Sequence, residues 1–398
     1  KKKLRYCQTK DVHRFSNKIR LFEKSSTTDK SLTKRVGELS ELMNASIAIT
    51  KSKEQTIPKS INLPKNLPVS TRAKEIGELL TENQIIIVSG DTGSGKTTQL
   101  PKICLAAGFG RKGIIGHCQP RRLAATSVAS RIASELNSQI GAIVGYQVRF
   151  DERVYESCSI KLMTDGILLS EIQSDPYLSK YEVIIVDEAH ERSLNIDFLL
   201  GYLKGVLVKR KELKLIVTSA TIDVEKFSNH FDRAQVISVE GRTFPVETRY
   251  IEIKSDNEEK ERSLTDHVVE NIASLISESS KYATQAKDIL VFLSSEREIR
   301  ETAKVLRKKK VNNVEILPLY SRLPKSEQNK IFQVHKFQRV ILCTNVAETS
   351  ITVPGIKYVV DSGFARISRY NFQSKIQRLP IEKISQASAN QRKGRCGR

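Results

Sequence analysis

A glycine-rich run at residues 90–97, Gly-Asp-Thr-Gly-Ser-Gly-Lys-Thr, directly follows an apolar segment at residues 84–88. It matches the pattern G-x-x-x-x-G-K-[ST] at the place where a buried strand should end. Glycines let successive backbone N–H groups converge on phosphate oxygens, while Lys96 adds a charge and the Thr97 hydroxyl can ligate Mg²⁺. The run therefore predicts a nucleoside triphosphate site.

The flanking residues support this prediction over an accidental match. Residues 84–88, Gln-Ile-Ile-Ile-Val, are typical of a buried parallel strand. Residues 97–107 continue at helical spacing, with an apolar stripe of Leu100, Ile103, Cys104 and Ala107. We therefore expect a strand, a phosphate-binding loop and a helix in that order.

The length of 398 residues exceeds the size at which one core stops growing, so we expect about two or three domains. No apolar run approaches the roughly 18 residues of a membrane span, and no secretion signal opens the sequence. These features predict a cytoplasmic protein without a membrane partner. Six cysteines without a C-x-x-C pair argue against zinc and for reduced thiols.

The balance of 66 basic and 45 acidic residues gives a net charge of +21, which would attract a polyanion. Residues 1–70 concentrate this charge, with 16 Lys or Arg against 6 Asp or Glu. Nucleic acid is the natural partner. A generally basic, solvated surface is the alternative that charge alone leaves open.

The pattern divides the chain into three regions. Residues 1–69 form a basic extension and linker, with one amphipathic helix at residues 32–47 and a proline-containing linker at residues 51–68. Residues 70–241 and residues 242–398 each form a domain, and a capped helix near the start of the first leads into its phosphate-loop strand.

Short apolar runs separated by helical spacers recur through both domains. They lie at residues 114–118, 183–186, 213–217, 236–239, 289–293, 316–319, 340–343 and 358–360. This alternation predicts an α/β fold with two tandem doubly wound parallel sheets. The chain opens on Lys1 and stops just after a basic motif, so we expect a piece of a longer protein.

Candidate catalytic groups lie where the strands should end. Asp187 and Glu188 follow a predicted strand, where ligands bind in open α/β sheets. Asp187 can hold Mg²⁺ through its water shell, and Glu188 can orient or deprotonate a water. Residues 219–221, Ser-Ala-Thr, supply hydroxyls that can relay nucleotide state, although a helix cap is the simpler interpretation of this tripeptide.

Residues 391–398, Gln-Arg-Lys-Gly-Arg-Cys-Gly-Arg, combine arginines with flexible glycines. Such arginines can project guanidinium groups across a cleft and stabilise charge on a phosphoryl group. A generic polyanion patch is the alternative. The phosphatase interpretation is favoured because the first domain supplies the other parts of a triphosphatase site.

In this order the motifs resemble those of a DEAH-box helicase of superfamily 2, with the bacterial RNA helicases of that family as the nearest type. The resemblance covers residues 66–398. Its motifs lie at residues 90–97, 119–125, 164–166, 187–193, 219–221, 291–294, 344–350, 360–363 and 391–398.

The resemblance implies two RecA-like domains that hydrolyse ATP and other nucleoside triphosphates with Mg²⁺, stimulated by RNA, and move 3′ to 5′ along a single strand. It places nucleotide contacts at Gly90, Thr92, Gly93, Ser94, Gly95, Lys96, Thr97, Thr98, Arg131, Phe332 and Asp361. Thr97 and Asp187 would hold the metal, and Arg395 and Arg398 would act as arginine fingers. His190 and Gln391 would couple the two domains.

The resemblance also implies an RNA track. Its contacts would be Arg121, Arg122, Thr164, Ser294, Thr344 and Thr349. Residues 372–384 match a strand-separating hairpin, although any exposed edge hairpin shows the same alternation. The partners implied are single-stranded RNA, RNA duplexes or ribonucleoprotein, with ribosome association open, for a monomeric enzyme.

Three rivals stay open at this point. One is a DNA helicase driven by nucleoside triphosphates, and another is a ribonucleoprotein remodeller that does not unwind duplexes. A third, from a different class, is a catalytically silent RNA-binding scaffold. Residues 1–65 lie outside the family's common core, and either a tethered solvated arm or an extra RNA or ribosome contact would account for them.

Overall fold

The structure, a computed structural model, describes residues 1–24, 30–91, 93–220, 224–241, 244–251, 263–280, 288–309, 313–348, 353–371, 373 and 375–397. The chain divides into two compact units, Lys1–Gly241 (unit 1) and Arg242–Arg398 (unit 2). The expected α/β class with two tandem parallel-sheet domains is confirmed.

Unit 1 alternates strands and helices after a group of amino-terminal helices. Its elements are α1 (Thr9–Lys24), α2 (Lys30–Thr56), α3 (Pro68–Thr71), α4 (Ala73–Glu82), β1 (Ile85–Gly90), α5 (Lys96–Ala106), β2 (Ile114–Gln119), α6 (Arg122–Glu135), β3 (Val144–Val148), β4 (Asp151–Arg153), β5 (Ile160–Thr164), α7 (Asp165–Ser174), β6 (Tyr181–Val186), α8 (Leu194–Lys209), β7 (Lys214–Ser219), α9 (Val224–His230) and β8 (Gln235–Val239).

The strands of unit 1 form one sheet, sheet 1, in the order β4-β3-β5-β2-β6-β7-β1-β8. Every pair except β3–β4 is parallel. Successive residues of β1 enter different cores: Ile86 and Val88 pack with Leu100 of α5 on one face, whereas Ile87 packs with Leu199 of α8 on the other. Side chains alternate across a strand, so a sheet covered on both faces buries the whole apolar run.

The register places the ends of the central strands together. Ser89 of β1 lies opposite Ser219 of β7, and Val217 of β7 lies opposite Val186 of β6. The phosphate loop, residues 219–220 and Asp187 therefore share the carboxyl edge of sheet 1.

Unit 2 contains α10 (Leu264–Ser280), β9 (Asp288–Phe292), α11 (Glu296–Lys308), β10 (Val314–Leu319), α12 (Lys325–Asn329), β11 (Gln338–Cys343), β12 (Ile356–Asp361), β13 (Phe364–Arg366), β14 (Arg369–Asn371), β15 (Ile376–Arg378), β16 (Ile381–Lys383) and α13 (Gln386–Lys393). Four parallel strands form sheet 2 in the order β10-β11-β9-β12. Antiparallel pairs β13–β16 and β14–β15 follow. Phe372 of the expected hairpin lies outside the described residues.

Several expectations for unit 1 are wrong in detail. The predicted linker at residues 51–68 begins inside α2, and α1 lies in a part of the extension where no helix was predicted. No side-chain cap starts α3 or α4. Ala107 lies exposed at the end of α5. Strands β3, β4 and β5 were not predicted, and β5 carries the buried Lys161 in an otherwise apolar run.

The basic extension contains two long helices, α1 and α2, where one helix at residues 32–47 was expected. Its helices have a small core of their own, in which Phe15 of α1 packs with Leu39 and Met43 of α2. Within the described residues, no helix combines the length and apolar character needed to cross a bilayer. All six cysteines are buried thiols that form no disulfide.

Candidate active site

The phosphate loop folds into a left-handed turn between β1 and α5. Gly90, Gly93 and Gly95 have φ values of 153°, 89° and 91°, a region that L side chains rarely adopt. A Cβ at Gly90 would stand 2.2 Å from the carbonyl oxygen of Val239. Glycine is therefore required at position 90 for both its backbone conformation and its close approach to Val239. Thr92 of the loop lies outside the described residues.

Lys96 begins α5 and is 8% exposed. Its Nζ donates to the carbonyl of Asp91 at 2.9 Å, to the carbonyl of Gly90 and to Ser94 Oγ at 3.4 Å. Thr97 and Thr98 follow in the first turn, where both are half-buried. The ammonium is thus held over the loop at a helix amino terminus, where backbone N–H groups favour an anion.

Asp187 follows β6 and is 1% exposed. Its Oδ2 accepts from Gln119 Nε2 at 2.7 Å and lies 3.2 Å from His117 Nε2. Its Oδ1 accepts from the Thr218 hydroxyl and from the Glu188 backbone N–H at 3.0 Å. Burial raises the pKa of Asp187, but the hydrogen bonds and charge of these partners outweigh it and hold the pKa well below the usual range.

Glu188 is 7% exposed and has a left-handed backbone, with φ 53° and ψ 39°. His190 lies beside it, with Nε2 3.3 Å from Glu188 Oε2. The backbone N–H of Ala220 donates to His190 Nδ1 at 3.1 Å, so the imidazole proton lies on Nε2 and faces the carboxylate. Residues after β6 and β7 are thereby joined through one imidazole.

These residues fit a magnesium nucleotide. A glycine cradle with a lysine suits phosphate oxygens, and a buried ionised carboxylate suits a hard cation or its water shell. Asp187 keeps its charge at neutral pH because its pKa is depressed. Lys96 and the loop would hold phosphates, and Thr97 and Asp187 would hold Mg²⁺.

Arg131 on α6 is exposed and belongs to a charged cluster. Its Nε lies 2.6 Å from Glu135 Oε1, and the other oxygen of Glu135 accepts from Lys102 at 2.9 Å and Gln99 at 3.0 Å. Lys102 is fully buried on α5. The arginine expected at the base is therefore tied to the helix that follows the phosphate loop.

The expected RNA contacts of unit 1 lie at the same sheet edge. Arg121 Nη2 is 3.4 Å from Glu191 Oε1, and the exposed Arg122 donates to the carbonyl of Arg149 at 2.9 Å. Thr164 ends β5 and is 9% exposed. Strand ends thus bring these residues to the edge that carries the phosphate loop.

The expected residues of unit 2 are less alike in exposure. Ser294 is 2% exposed and its hydroxyl is bound to Glu298, whereas Phe332 is 39% exposed. Thr344 is half-buried just after β11. Asp361 ends β12 and accepts from the Gly363 N–H at 2.9 Å. Thr349 and Arg398 lie outside the described residues.

The basic motif at residues 391–398, which begins in the last turn of α13, does not project outward as a set. Arg395 is 3% exposed and donates to the carbonyl of Glu348, with Nε at 2.9 Å. Arg392 is fully buried, with Nε 2.8 Å from Glu348 Oε2 and Nη1 2.7 Å from Asp361 Oδ1. Gln391 is half-buried. Two arginines of this motif are therefore built into the interior of unit 2.

Sequence reasoning missed His117 and the partners of Arg392. His117 lies 70 residues before Asp187, and Arg392 lies 44 residues after Glu348. The polar His117 and Gln119 inside an apolar run were the available signal, because buried polar groups need partners.

The phosphate loop and acidic pair on a parallel sheet, followed by a second parallel α/β unit, define the P-loop helicase class. The family model "DEAD/DEAH box helicase" matches residues 71–229, and "Helicase conserved C-terminal domain" matches residues 267–398. The chain belongs to the DEAD/DEAH box helicase family.

The chain is 59% identical to the ATP-dependent RNA helicase HrpA of Escherichia coli (strain K12) over 338 residues, which is 85% of this chain and 26% of that one. It is 56% identical to the HrpA homolog of Haemophilus influenzae over 347 residues, again 26% of that protein. The crystal structure of the E. coli DEAH/RHA helicase HrpB matches with a TM-score of 0.75 and 35% identity, covering 83% of this chain and 41% of that one. The chain thus spans about a quarter of the length of these two curated relatives.

Proposed function

We propose that the chain is the core of an ATP-dependent RNA helicase that couples RNA-stimulated hydrolysis of nucleoside triphosphates to 3′-to-5′ movement and to remodelling of RNA or ribonucleoprotein. Family membership and the RNA helicase names of its relatives support the class. The observation that carries the chemistry is the connected set of Asp187, Glu188 and His190 at the phosphate-loop edge.

The protein groups have separate tasks in this proposal. Lys96 and the loop N–H groups bind and orient phosphate oxygens, and Asp187 holds the charge that a cation needs. Glu188 Oε2, oriented by His190 Nε2–H, receives the proton of the attacking water. When bound, the magnesium nucleotide supplies the phosphoryl group and the electrophilic metal.

Substituting Glu188→Gln tests the base. The amide keeps the size of the side chain but cannot accept the proton, so turnover should fall by about two to four orders of magnitude. Binding of a fluorescent nucleotide should stay within a few-fold of the parent. Turnover that survives in Glu188→Gln would refute the assignment.

The expected contacts of Arg131 and Phe332 would be to the ring face of the nucleotide base and not to its hydrogen-bonding edge. We therefore propose weak discrimination among ATP, GTP, CTP and UTP. Steady-state hydrolysis of each nucleotide is measured with single-stranded RNA, with single-stranded DNA and without nucleic acid. The four nucleotides should give comparable kcat/KM values, and RNA should stimulate hydrolysis. A hundredfold preference for ATP would contradict the base contacts, and stimulation by DNA alone would contradict the RNA helicase.

The arginines of residues 391–398 are proposed to respond to nucleotide in different ways. Arg395 donates to the backbone carbonyl of Glu348, whereas Arg392 is held by the carboxylates of Glu348 and Asp361. Exchange of a carbonyl for a phosphate oxygen is favourable for a guanidinium. Arg395 is therefore the better finger, and Arg392 is a structural residue.

A further inference from the structure

The exposed face of α1 is the most one-sidedly charged helix surface in the described part of unit 1 that the proposed function leaves unused. Its exposed residues include Lys10, His13, Arg14, Asn17 and Lys18, at helical spacings of three and four. This set, which we call the α1 stripe, consists of donors and cations. It extends about 12 Å along the helix.

The acidic residues of α1 pair with one cation of this stripe, Arg14, so the stripe keeps a net positive charge from Lys10 and Lys18. Asp11 is half-buried and accepts from Ser46 at 2.8 Å as well as pairing with Arg14 at 3.0 Å. Glu23 pairs with Lys1 at 2.6 Å near the other end of the helix. Lys1, Lys2, Lys3 and Arg5 add exposed charge just before α1.

The neighbouring helix provides a contrast. On α2, the exposed cations Lys34, Arg35 and Lys51 are interleaved with the exposed acids Glu38, Glu41 and Glu54. The two helices share one small core. Of these two helices, as far as their side chains are described, α1 presents the unbalanced surface to a polyanion.

The hairpin of α1 and α2 is fixed to the amino edge of sheet 1. The Thr9 N–H donates to the carbonyl of Lys112, just before β2, at 2.9 Å. The buried Lys53 ammonium donates to the carbonyl of Cys158, just before β5, at 2.8 Å. Strands of about six residues span roughly 20 Å, so the α1 stripe lies at the end of unit 1 opposite the phosphate loop.

We propose that the α1 stripe is a second RNA-binding surface, which holds the phosphodiester backbone at a distance from the motif residues of unit 1. Its ligand class is RNA bound through phosphate, without reading of sequence. The choice of RNA over other polyanions rests on the proposed function. A backbone tether at this edge would keep RNA attached while contacts at the carboxyl edge are broken and remade.

Binding of single-stranded oligouridylate, measured without nucleotide between about 50 and 200 mM salt, tests the proposal. The variant Lys10→Gln/Lys18→Gln removes two cations of the stripe. The control Lys34→Gln/Lys51→Gln removes two exposed cations of α2. Each lost phosphate contact flattens the slope of log K against log salt by about 0.7, so the first variant should lower it by about 1.4 and the control should leave it unchanged.

A third variant, Lys10→Arg/Lys18→Arg, should restore the parent slope because it restores both charges. Equal slopes for the parent and the α1 variant would overturn the proposal, and so would equal losses in the α1 and α2 variants. If the α1 variant loses binding to phosphatidylserine vesicles while its RNA binding is unchanged, the stripe binds lipid and the proposal is also overturned. A parent that binds no RNA would instead refute the proposed function.

Discussion

At the carboxyl edge of sheet 1, Asp187 accepts from hydroxyl, amide and backbone donors and lies beside an imidazole. At the same edge of sheet 2, Glu348 and Asp361 are paired with a guanidinium. None of the donors to Asp187 is a permanent cation. Asp187 therefore keeps a negative charge that a metal can use, while Arg392 cancels the charge in unit 2 and ties β12 to α13. One sheet edge is arranged for a ligand and the other for internal cohesion.

The comparison predicts its largest effect on catalysis in unit 1. Asp187→Asn removes the charge while keeping the shape, so hydrolysis should fall by about a hundredfold or more, since metal-based charge stabilisation is worth several kcal/mol. Steady-state hydrolysis over a range of Mg²⁺ concentrations measures this, with a thermal melt to show that the variant folds. Activity within tenfold of the parent at every Mg²⁺ concentration would show that hydrolysis does not depend on the charge of Asp187.

In unit 2 the corresponding effect should be on stability. Arg392→Leu leaves two carboxylates without their buried partner and should cost about 3 to 5 kcal/mol. Arg249→Leu is the matched control, because Arg249 pairs with Glu247 and Glu278 at an exposed site where such pairs contribute little to stability. Hydrogen exchange of the amides in β12 and α13 should accelerate strongly in the first variant alone. Similar acceleration in both would mean that burial of the pair is unimportant.

A smaller effect is expected at His117, which contacts Asp187 from β2. We predict that His117→Leu weakens Mg²⁺-dependent nucleotide binding about 10- to 100-fold, as for other groups that orient a metal ligand. His117→Gln should recover part of this loss, because its amide can also donate to the carboxylate. The readout is a Mg²⁺ titration of fluorescent nucleotide binding.

The control for this prediction is His335→Leu in unit 2, which removes a histidine lying 3.1 Å from the carboxylate of Asp288. It should leave the Mg²⁺ dependence unchanged. If both leucine variants shift the titration equally, His117 acts through general stability and not through Asp187.

The part of the fold that sequence predicted is the part built from uninterrupted apolar runs. β1 and β6 are such runs, buried on both faces, and they carry the loop and the acidic pair to one edge. β5 was missed because Lys161 interrupts it, and only the fold shows that Glu171 lies 2.5 Å from its ammonium. α1 was missed because cations separate its few apolar residues.

The candidate site divides in the same way. Local motifs predicted Lys96, Asp187 and Glu188, because their chemistry follows from adjacent residues and a strand end. The roles of His117 and Arg392 depend on contacts between distant parts of the chain, so no local pattern contains them. The expectation that the arginines of residues 391–398 point outward was wrong for Arg392, because Glu348 and Asp361 together hold its guanidinium inside unit 2.

Two further carboxyl groups, half-buried Glu171 in unit 1 and buried Asp288 in unit 2, predict how the stability of each unit changes at acid pH. Burial raises the pKa of Glu171 in unit 1, but Lys161, Lys180 and Tyr181 outweigh it and lower the pKa below its ordinary value of 4.5. Burial of Asp288 in unit 2 prevails over its hydrogen bond from the Arg339 N–H and raises the pKa above 3.8.

The two groups should therefore have opposite effects on stability, smaller than those above. A group whose pKa is depressed by folding stabilises the protein at pH values above its unfolded-state pKa, and this stability is lost as the pH falls through the folded-state pKa. A group whose pKa is raised by folding destabilises the protein at neutral pH, and this stability is regained as the pH falls. Between neutral pH and about pH 3, the parent should lose stability relative to Glu171→Gln and gain it relative to Asp288→Asn. Urea unfolding followed by hydrogen exchange in each unit measures both differences, and changes of the same sign would contradict the opposite surroundings of the two carboxyl groups.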